Sequence, residues 1–231
     1  MFGKWLGVWA RLSALGVLGV LGGFGAHAAS SLGAVASDPI VQAREALRVG
    51  DKPKLSALRQ SVVAAGHPLA AWVDYWDLSG RLARATVGEV EAFYERWPRT
   101  YVEDRLRNDW LLELGRRRDG TAFLRDWPRF KMRDDKEVTC YGLWAQIQTG
   151  QTGQVGQAVR EAAREAGREA WWAQREADDG CHQLALALFN AKHLSAKDVW
   201  HKVRLATEMN RPKVAKAAAA LLGTQEERAV A

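Results

Sequence analysis

The stretch FYERWPRT, residues 93–100, has a counterpart thirty residues further on, FLRDWPRF, residues 123–130. In both stretches an aromatic residue is followed four positions later by Trp, and then by Pro and Arg. A third proline, Pro68, precedes Pro98 by the same distance. Self-similarity at a fixed period of about 20–50 residues indicates a chain built of repeated structural units.

One unit has the pattern of two short helices that end at a proline. Thr86 and Glu89 have the spacing of a capping box at a helix N-terminus, and Thr100 and Glu103 repeat it just after Pro98. Proline ends a helix because it lacks an amide donor and clashes with the preceding turn. The first helix carries apolar residues at helical spacing, at Leu69, Trp72, Val73 and Trp76. Because two short helices cannot bury their apolar faces alone, neighbouring hairpins must stack.

The rest of the chain continues the helical pattern less regularly. Helices are predicted over residues 136–148, 155–167, 181–189, 195–209 and 212–222, the fourth opening with a capping box at Ser195 and Asp198. Strand alternation is nearly absent, and no segment rich in Pro, Gly or Ser divides the chain. We therefore predict one all-α domain over residues 38–222, a helical-hairpin superhelix (an α-solenoid, or TPR-like right-handed array). Residues 223–231 are expected to form a ragged C-terminal end.

The first 28 residues have the pattern of a secretory signal peptide. Lys4 and Arg11 give a positive start, residues 12–24 form an uncharged apolar run, and Ala26-His27-Ala28 fits the small-x-small cleavage pattern. The apolar run is shorter than the ~20 residues that a membrane span needs. We therefore expect cleavage after residue 28 and no stable membrane span afterwards.

An uncleaved leader, anchored through Trp5 and Trp9, is the alternative to cleavage. In either case we expect export to a periplasm, with residues 29–37 as a flexible mature N-terminus. Cleavage would lower the net charge from +6 to +4 by removing two basic residues. A mild and well-mixed basic surplus on an exported chain argues against nucleic acid as a partner and is compatible with an acidic polymer.

The two cysteines, Cys140 and Cys181, are forty-one positions apart. In an oxidising compartment a lone pair indicates a disulfide, and closing a loop of this size would stabilise the fold by roughly 3–4 kcal/mol. The alternative is a redox or metal-binding pair that includes His182. Because no CxxC or HxxH spacing supports that alternative, we predict a disulfide that joins neighbouring hairpins.

Catalytic motifs are absent from the sequence, which has no Walker A loop, no GxGxxG after a strand, no GxSxG and no HExxH. The adjacent carboxylates Asp134–Asp135 and Asp178–Asp179 fall in predicted turns. Glu89, Glu103 and Glu113 fall at helix caps and on helix faces. We expect no catalytic, cofactor-binding or metal-binding residue here, and whether the chain is an enzyme stays open.

Two features could contact a ligand. The basic cluster 116–118 lies at a hairpin turn, where Arg117 could meet a carboxylate or phosphate, although a solvated helix end also explains it. Trp171 and Trp172 are adjacent, so a helix cannot turn both toward the same core. One ring could be exposed and stack on a sugar, and burial against the next hairpin is the structural alternative. Residues 160–175 alternate Arg with Glu, which is typical of a salt-bridged outer face.

Several segments, in this order, resemble those of one enzyme family, the soluble lytic murein transglycosylases. The segments are PLAAWVDYWDL (68–78), EVEAFYERWP (89–98), RLRNDWLLELGRRRD (105–119), VTCYGLWAQIQTGQ (138–151), DDGCHQL (178–184) and DVWHKVRLATEMNRPKVAKAAAALLG (198–223). The cysteine placement and the segment with Arg204, Leu205, Ala206 and Asn210 also match. The likeness begins near residue 38, runs to the C-terminus, and corresponds to the early part of the family's superhelical domain.

The resemblance implies a fold and a reaction. In this family a long α-superhelix forms a ring or U shape, and a lysozyme-like domain at its C-terminal end cleaves the bond between N-acetylmuramic acid and N-acetylglucosamine in peptidoglycan. The cleavage leaves a 1,6-anhydro end and uses a single glutamate as acid and then base, because the sugar's own hydroxyl replaces the attacking water. That catalytic domain lies far downstream in the family, so we expect it to be absent from this chain.

The sequence therefore supports two candidate functions. In the first, the chain is the N-terminal superhelical part of a periplasmic lytic transglycosylase. It gives shape and substrate guidance to a missing C-terminal catalytic domain, and its candidate glycan contacts are Trp171, Trp172 and Arg117. It is then either a truncation or a stand-alone relative of the superhelix. In the second, it is a non-enzymatic periplasmic TPR-like adaptor that binds a protein or peptide.

Overall fold

A computed structural model describes residues 38–150 and 156–230, and this part of the chain contains twelve α-helices and no strand. The all-α prediction is confirmed. The helices are α1 (Pro39–Val49), α2 (Lys52–Ala64), α3 (Ala70–Ser79), α4 (Val87–Arg96), α5 (Tyr101–Arg116), α6 (Gly120–Asp126), α7 (Lys136–Gly150), α8 (Gln157–Ala173), α9 (Asp179–Asn190), α10 (Ala196–Glu208), α11 (Pro212–Ala219) and α12 (Thr224–Ala229). Two 3₁₀ turns, Leu82–Arg84 and Trp127–Arg129, follow α3 and α6.

The thirty-residue unit is a helical hairpin, as the prolines indicated. The first unit comprises α3 and α4, and the second comprises α5 and α6. Thr86 and Glu89 form the predicted capping box of α4. At α5 the box is only half formed: Thr100 accepts from the Glu103 amide at 3.1 Å, whereas the Glu103 carboxylate accepts from the amide of Arg99 at 2.6 Å. Arg99 is in the left-handed region (φ 61°), and its amide replaces that of Thr100.

Trp97 and Trp127 end successive hairpins, at the equivalent positions that the sequence predicted. The Trp97 indole donates from Nε1 to Asp74 Oδ2 at 2.8 Å. The Trp127 ring instead packs directly on the backbone of α7 at Gly142, where an added Cβ would lie 2.4 Å from ring atoms. Trp127 therefore closes the joint between its hairpin and α7, whereas the bond from Trp97 to Asp74 joins the two helices of its own hairpin.

Buried aspartates recur at the same spacing of thirty residues. Asp74 in α3 is 1% exposed and accepts from Arg59 at 2.6 Å and from Arg96, in addition to Trp97. Asp104 in α5 accepts backbone amides of the segment after α6, from Lys131 at 3.0 Å and Met132 at 2.8 Å. A buried carboxylate requires such partners. Asp74 therefore ties its hairpin to α2 through Arg59, whereas Asp104 fixes the segment that leaves α6.

The apolar core consists of three clusters along the chain. The first lies among α1, α2 and α3, the second spans α3 to α7, and the third spans α7 to α11. Trp97 contacts the first two clusters and Trp144 contacts the last two. Cys140 of α7 and Cys181 of α9 form the predicted disulfide, with their Cα atoms 4.9 Å apart. The bridge ties two helices of the third cluster together.

Two boundaries near the C-terminal half differ from the prediction. Helix α8 continues past Gly167 to Ala173, because Gly167 packs closely against the side chains of Leu184 and Leu188 of α9. Residues 224–229 form the short helix α12, so the expectation of a ragged end is corrected. Val230, which follows α12, packs against the third cluster.

The leader, the uncleaved alternative through Trp5 and Trp9, and the expected flexible segment 29–37 lie outside the described residues. Within residues 38–150 and 156–230, no helix combines the length and apolar character that crossing a membrane requires.

Candidate functional site

The tryptophan pair at the end of α8 is divided between the core and the surface. Trp171 is 5% exposed and belongs to the third apolar cluster, so its ring is not accessible to a ligand. Trp172 is half-buried and lines an open groove between α8 and α10. Burial therefore removes Trp171 from the candidate contacts and leaves Trp172.

The groove beside Trp172 has a volume of about 600 Å³. It combines two indoles with several cationic side chains, and its lining residues are Arg168, Trp172, Lys197, Asp198, Trp200, His201 and Arg204. We call it the Trp172–Trp200 groove. Trp200 is 44% exposed, which makes it one of the most exposed large apolar side chains in the described part of the chain.

The Trp172 ring is held in place from three sides. Its Nε1 donates to the backbone carbonyl of Asp198 at 3.3 Å. The His201 ring stands edge-on to the indole, with ring centroids 4.7 Å apart, and the Arg168 guanidinium lies 5.3 Å from the indole centroid. Because α8 and α10 each supply part of this contact, the ring is positioned before any ligand arrives.

The groove has a positive charge balance. Arg168, Lys197 and Arg204 outnumber the carboxylate of Asp198. That carboxylate caps α10 by accepting from the amide and hydroxyl of Ser195, at 2.8 and 2.6 Å. Partial burial alone would raise the pKa of Asp198, but the hydrogen bonds from Ser195 lower it. The carboxylate therefore stays ionised and continues to cap α10. Arg168 is paired with Glu165, and Arg204 lies 3.9 Å from Glu208, so Lys197 is the groove cation without an ion pair among the described residues.

A second, smaller groove of about 330 Å³ continues along α8 and shares Arg168 with the first. It is lined further by Arg164, His193 and the glutamates Glu161 and Glu165. Arg164 and Arg168 lie four positions apart on the same helix face, and the Nε atom of each is buried without a hydrogen-bond partner. Because Glu161 and Glu165 balance the charges of Arg164 and Arg168, this second groove does not extend the positive charge of the first.

Lys202 fixes the two helices beneath this groove. Its side chain is 1% exposed, and its Nζ donates to the carbonyl of Trp172 at 3.1 Å and to that of Gln174. A second lysine, Lys136, donates to the carbonyl of Ala173 at 3.2 Å, so two cations serve the C-terminal end of α8. Burial lowers the pKa of Lys202 to about 8. Lys202 of α10 thus joins that helix to the C-terminal end of α8.

Arg117, the third candidate contact, is engaged by other parts of the fold although its side chain remains 34% exposed. It binds Glu113 at 2.8 Å and donates to the carbonyls of Leu82 and Ala83, both at 3.0 Å. Its guanidinium also lies 5.0 Å from the centroid of the Trp110 ring. These contacts join α5 to the preceding hairpin, which assigns Arg117 a structural role.

The three glutamates that the sequence placed at helix caps and on helix faces take part in a cap or in ion pairs. Glu89 closes a capping box, Glu103 pairs with Arg107, and Glu113 pairs with Arg116 and Arg117. Among the described residues no group of three or more His, Cys, Asp or Glu side chains could hold a metal ion. The chemistry that this surface offers is binding through rings and cations.

The α10 side of the groove was not predicted from the sequence. Lys197, His201 and Arg204 lie at i, i+4 and i+7, a spacing that places them on one helical face next to Trp200. That pattern was readable from the sequence. Its position opposite Trp172 depends on the docking of α10 against α8 and was not readable.

The architecture defines the class: an α-superhelix of stacked helical hairpins with a cationic aromatic groove on its surface. Its fold is that of part of the soluble lytic transglycosylases. The 70 kDa soluble lytic transglycosylase Slt70 from Escherichia coli superposes with a TM-score of 0.60 and 17% identity, over 83% of this chain and 30% of that enzyme. The fold expected from the sequence resemblance is confirmed.

Two further structures show the same fold. A complex of the 70 kDa soluble lytic transglycosylase with bulgecin A gives a TM-score of 0.59, 17% identity and the same coverage. The inactive variant of the lytic transglycosylase Slt from Pseudomonas aeruginosa gives 0.52 and 24% identity, over 81% of this chain and 28% of that one. This chain thus spans less than a third of each enzyme. Neither a protein-family model nor a curated protein sequence matches it.

Proposed function

We propose that this chain is the superhelical part of a periplasmic lytic murein transglycosylase and guides the peptidoglycan strand. The complete enzyme would cleave the bond between N-acetylmuramic acid and N-acetylglucosamine and leave a 1,6-anhydro end. Two independent likenesses support the family, namely the ordered sequence segments and the fold shared with Slt70. We further propose that residues outside the shared part, which is less than a third of each of these enzymes, carry out the reaction.

The observation that carries the guiding role is the Trp172–Trp200 groove. Sugar rings present apolar faces that stack on indoles, and Trp200 offers an exposed indole beside the half-buried Trp172. The muramic acid lactyl group and the peptide stems of murein carry carboxylates, which would meet Lys197 and Arg204. The groove therefore offers both an exposed ring and cations to an acidic glycan strand.

Two observations support a periplasmic location. The disulfide between Cys140 and Cys181 belongs to an oxidising compartment. The leader-like pattern of the first 28 residues agrees with export. A scaffold that works there needs no reactive group of its own, which agrees with the structural commitments of Glu89, Glu103 and Glu113.

Sedimentation with purified insoluble murein tests the guiding role. We expect the wild-type chain to sediment with murein and Trp200→Ala to weaken binding about fivefold, since one stacking contact is lost. Tyr101→Ala is the matched control, because Tyr101 is an exposed aromatic residue (61%) on a different helix. Equal sedimentation of the two variants would show that the groove does not bind glycan.

A second assay tests the scaffold role. Purified murein incubated with the wild-type chain should release no anhydro-muropeptides, because the assigned catalytic glutamate lies outside the shared part of the family. Release of such products above a boiled control would assign the reaction to this chain.

The second candidate function, a non-enzymatic TPR-like adaptor for a protein or peptide, has a separate observation in its favour. An apolar recess beside Trp76 opens on the opposite end of the array, next to the α1–α2 hairpin. Loss of murein sedimentation altogether, with intact peptide binding at that recess, would favour the adaptor.

A further inference from the structure

Two adjoining recesses lie where the α1–α2 hairpin meets the C-terminal end of α3. One has a volume of about 380 Å³ and the other of about 650 Å³. They share four lining residues, namely Lys52, Gly80, Arg81 and Arg84, so one ligand could occupy both. This site is remote in sequence from the Trp172–Trp200 groove and lies within residues 47–116.

The smaller recess is apolar. Its walls come from Leu47 of α1, Pro53 and Leu55 of α2, and Trp76 of α3. Leu47 is 40% exposed, although it lies beside these apolar neighbours. An apolar side chain of one or two residues would fill this space and remove Leu47 and the Trp76 ring from water.

The larger recess is cationic. Arg81 is paired with Glu89 and Asp77, and Arg116 is paired with Glu113 at 3.0 Å. Lys52 and Arg84, by contrast, have no carboxylate within ion-pair distance in the parts of the chain that the structure covers.

The carboxylates near this recess are already engaged. Asp109 accepts from the Tyr75 hydroxyl at 2.7 Å, and Glu113 holds Arg116 and Arg117. Neither of them is available to neutralise Lys52 and Arg84. The recess therefore has charge complementarity for an added anion next to the apolar space.

We propose that this double recess binds the carboxyl end of a polypeptide whose last residue is apolar. The terminal side chain enters the recess formed by Leu47, Pro53 and Trp76, and the terminal carboxylate binds Lys52 and Arg84. This mode of recognition, capture of a chain terminus by its charge, is used by other binding modules.

A peptide fits this site better than a fatty acid. The last turn of α3, at Ser79 and Gly80, lines the larger recess. The carbonyls of Trp76 and Leu78 already accept from the amides of Gly80 and Arg81, so those of Asp77 and Ser79 are the candidate acceptors at this helix end. A peptide offers amide N–H groups to such carbonyls, whereas an acyl chain offers none. The larger recess also exceeds what a carboxylate alone would fill, leaving room for the preceding residues of a peptide.

The experiment is a titration of the full chain into a fluorescein-labelled hexapeptide, GSGAAL, with a free carboxyl end, followed by fluorescence anisotropy. We expect saturable binding, about tenfold weaker binding when the terminus is amidated, and a similar loss when the last residue is glutamate. Absence of saturation up to about 1 mM peptide would overturn the proposal, as would equal affinity for the amidated peptide. Displacement of the peptide by equimolar decanoate would assign the site to fatty acids and also overturn it.

Matched variants locate the site. Arg84→Gln should weaken binding of the free-acid peptide about tenfold, and Lys52→Gln should act in the same direction. Arg125→Gln is the control, because Arg125 is an exposed arginine of α6 outside both recesses. Equal affinities of Arg84→Gln and Arg125→Gln would overturn the assignment.

The proposal stands independently of murein guidance. Arg84→Gln should leave murein sedimentation unchanged, and Trp200→Ala should leave peptide affinity unchanged. Failure of either function is thus distinguishable from failure of the other.

Discussion

Substituting Gly142 tests the joint that the opening sequence motif builds. A Cβ at Gly142 would lie 2.4 Å from the Trp127 ring, whereas ordinary contacts of this kind lie at 3.4–4 Å. The ring or α7 must therefore move by about 1 Å, and overpacking of a well-filled core costs about 1–3 kcal/mol. Alanine has a higher helix propensity than glycine, which offsets up to about 1 kcal/mol of this cost. We expect Gly142→Ala to lower the free energy of unfolding by about 1–2 kcal/mol.

A double-mutant cycle with Trp127→Ala isolates the clash. Removing the indole alone should cost about 3 kcal/mol. In that background Gly142→Ala should be neutral or stabilising by up to about 1 kcal/mol, because the ring is gone and the propensity gain remains. Gly88→Ala is the matched control, since the nearest atom to its added Cβ is 4.0 Å away.

The assay is urea denaturation without reductant, followed by circular dichroism at 222 nm so that the loss of one indole does not alter the signal. Each variant needs an unchanged slope against urea, because a changed slope reports a change in the native or denatured state rather than in the contact. If Gly142→Ala costs the same with and without Trp127, the steric explanation is refuted.

Four further predictions concern the disulfide and the stability of the fold. Thiol titration of the denatured, unreduced protein should find no free thiol, and two free thiols would contradict the bridge between Cys140 and Cys181. Burial lowers the pKa of Lys202 to about 8 in the folded state. Between pH 8 and the ordinary lysine pKa, the unfolded state therefore binds more protons than the folded state. Stability should therefore rise across pH 8 to about 10.5, by up to about 3 kcal/mol relative to Lys202→Met, and parallel profiles from urea titrations would refute this. Asp74→Asn should cost about 3 kcal/mol, since it leaves two arginines without their carboxylate. Glu45→Gln, which breaks an exposed ion pair, should leave the urea midpoint unchanged.

The repeat architecture was predictable because its determinants are local. A proline cannot continue a helix, so Pro98 and Pro128 mark hairpin ends whatever the rest of the chain does. The capping box of Thr86 and Glu89 likewise depends only on residues within a four-residue segment. At Glu103 the box is only half formed, because one carboxylate oxygen accepts from the amide of Arg99, in place of that of Thr100, and the other accepts from Arg107.

The surface was harder to predict because its determinants are distant in sequence. Arg117 looked like a free cation, but it binds carbonyls thirty-four and thirty-five residues earlier in the chain. Trp171 and Trp172 carry identical side chains, and only the rotation of α8 against α9 decides which ring is buried. The recess at Lys52 and Arg84 depends on how two hairpins meet and gave no local signal.

The bridge between Cys140 and Cys181 has a mechanical consequence. If the chain is pulled from its two ends, tension passes through the sulfur–sulfur bond and bypasses the forty residues enclosed between the cysteines. The fully stretched chain would be roughly 140 Å shorter than a reduced one. Helix α8, which carries Trp172, lies inside that slack loop, so it bears no load while the hairpins on either side are drawn out.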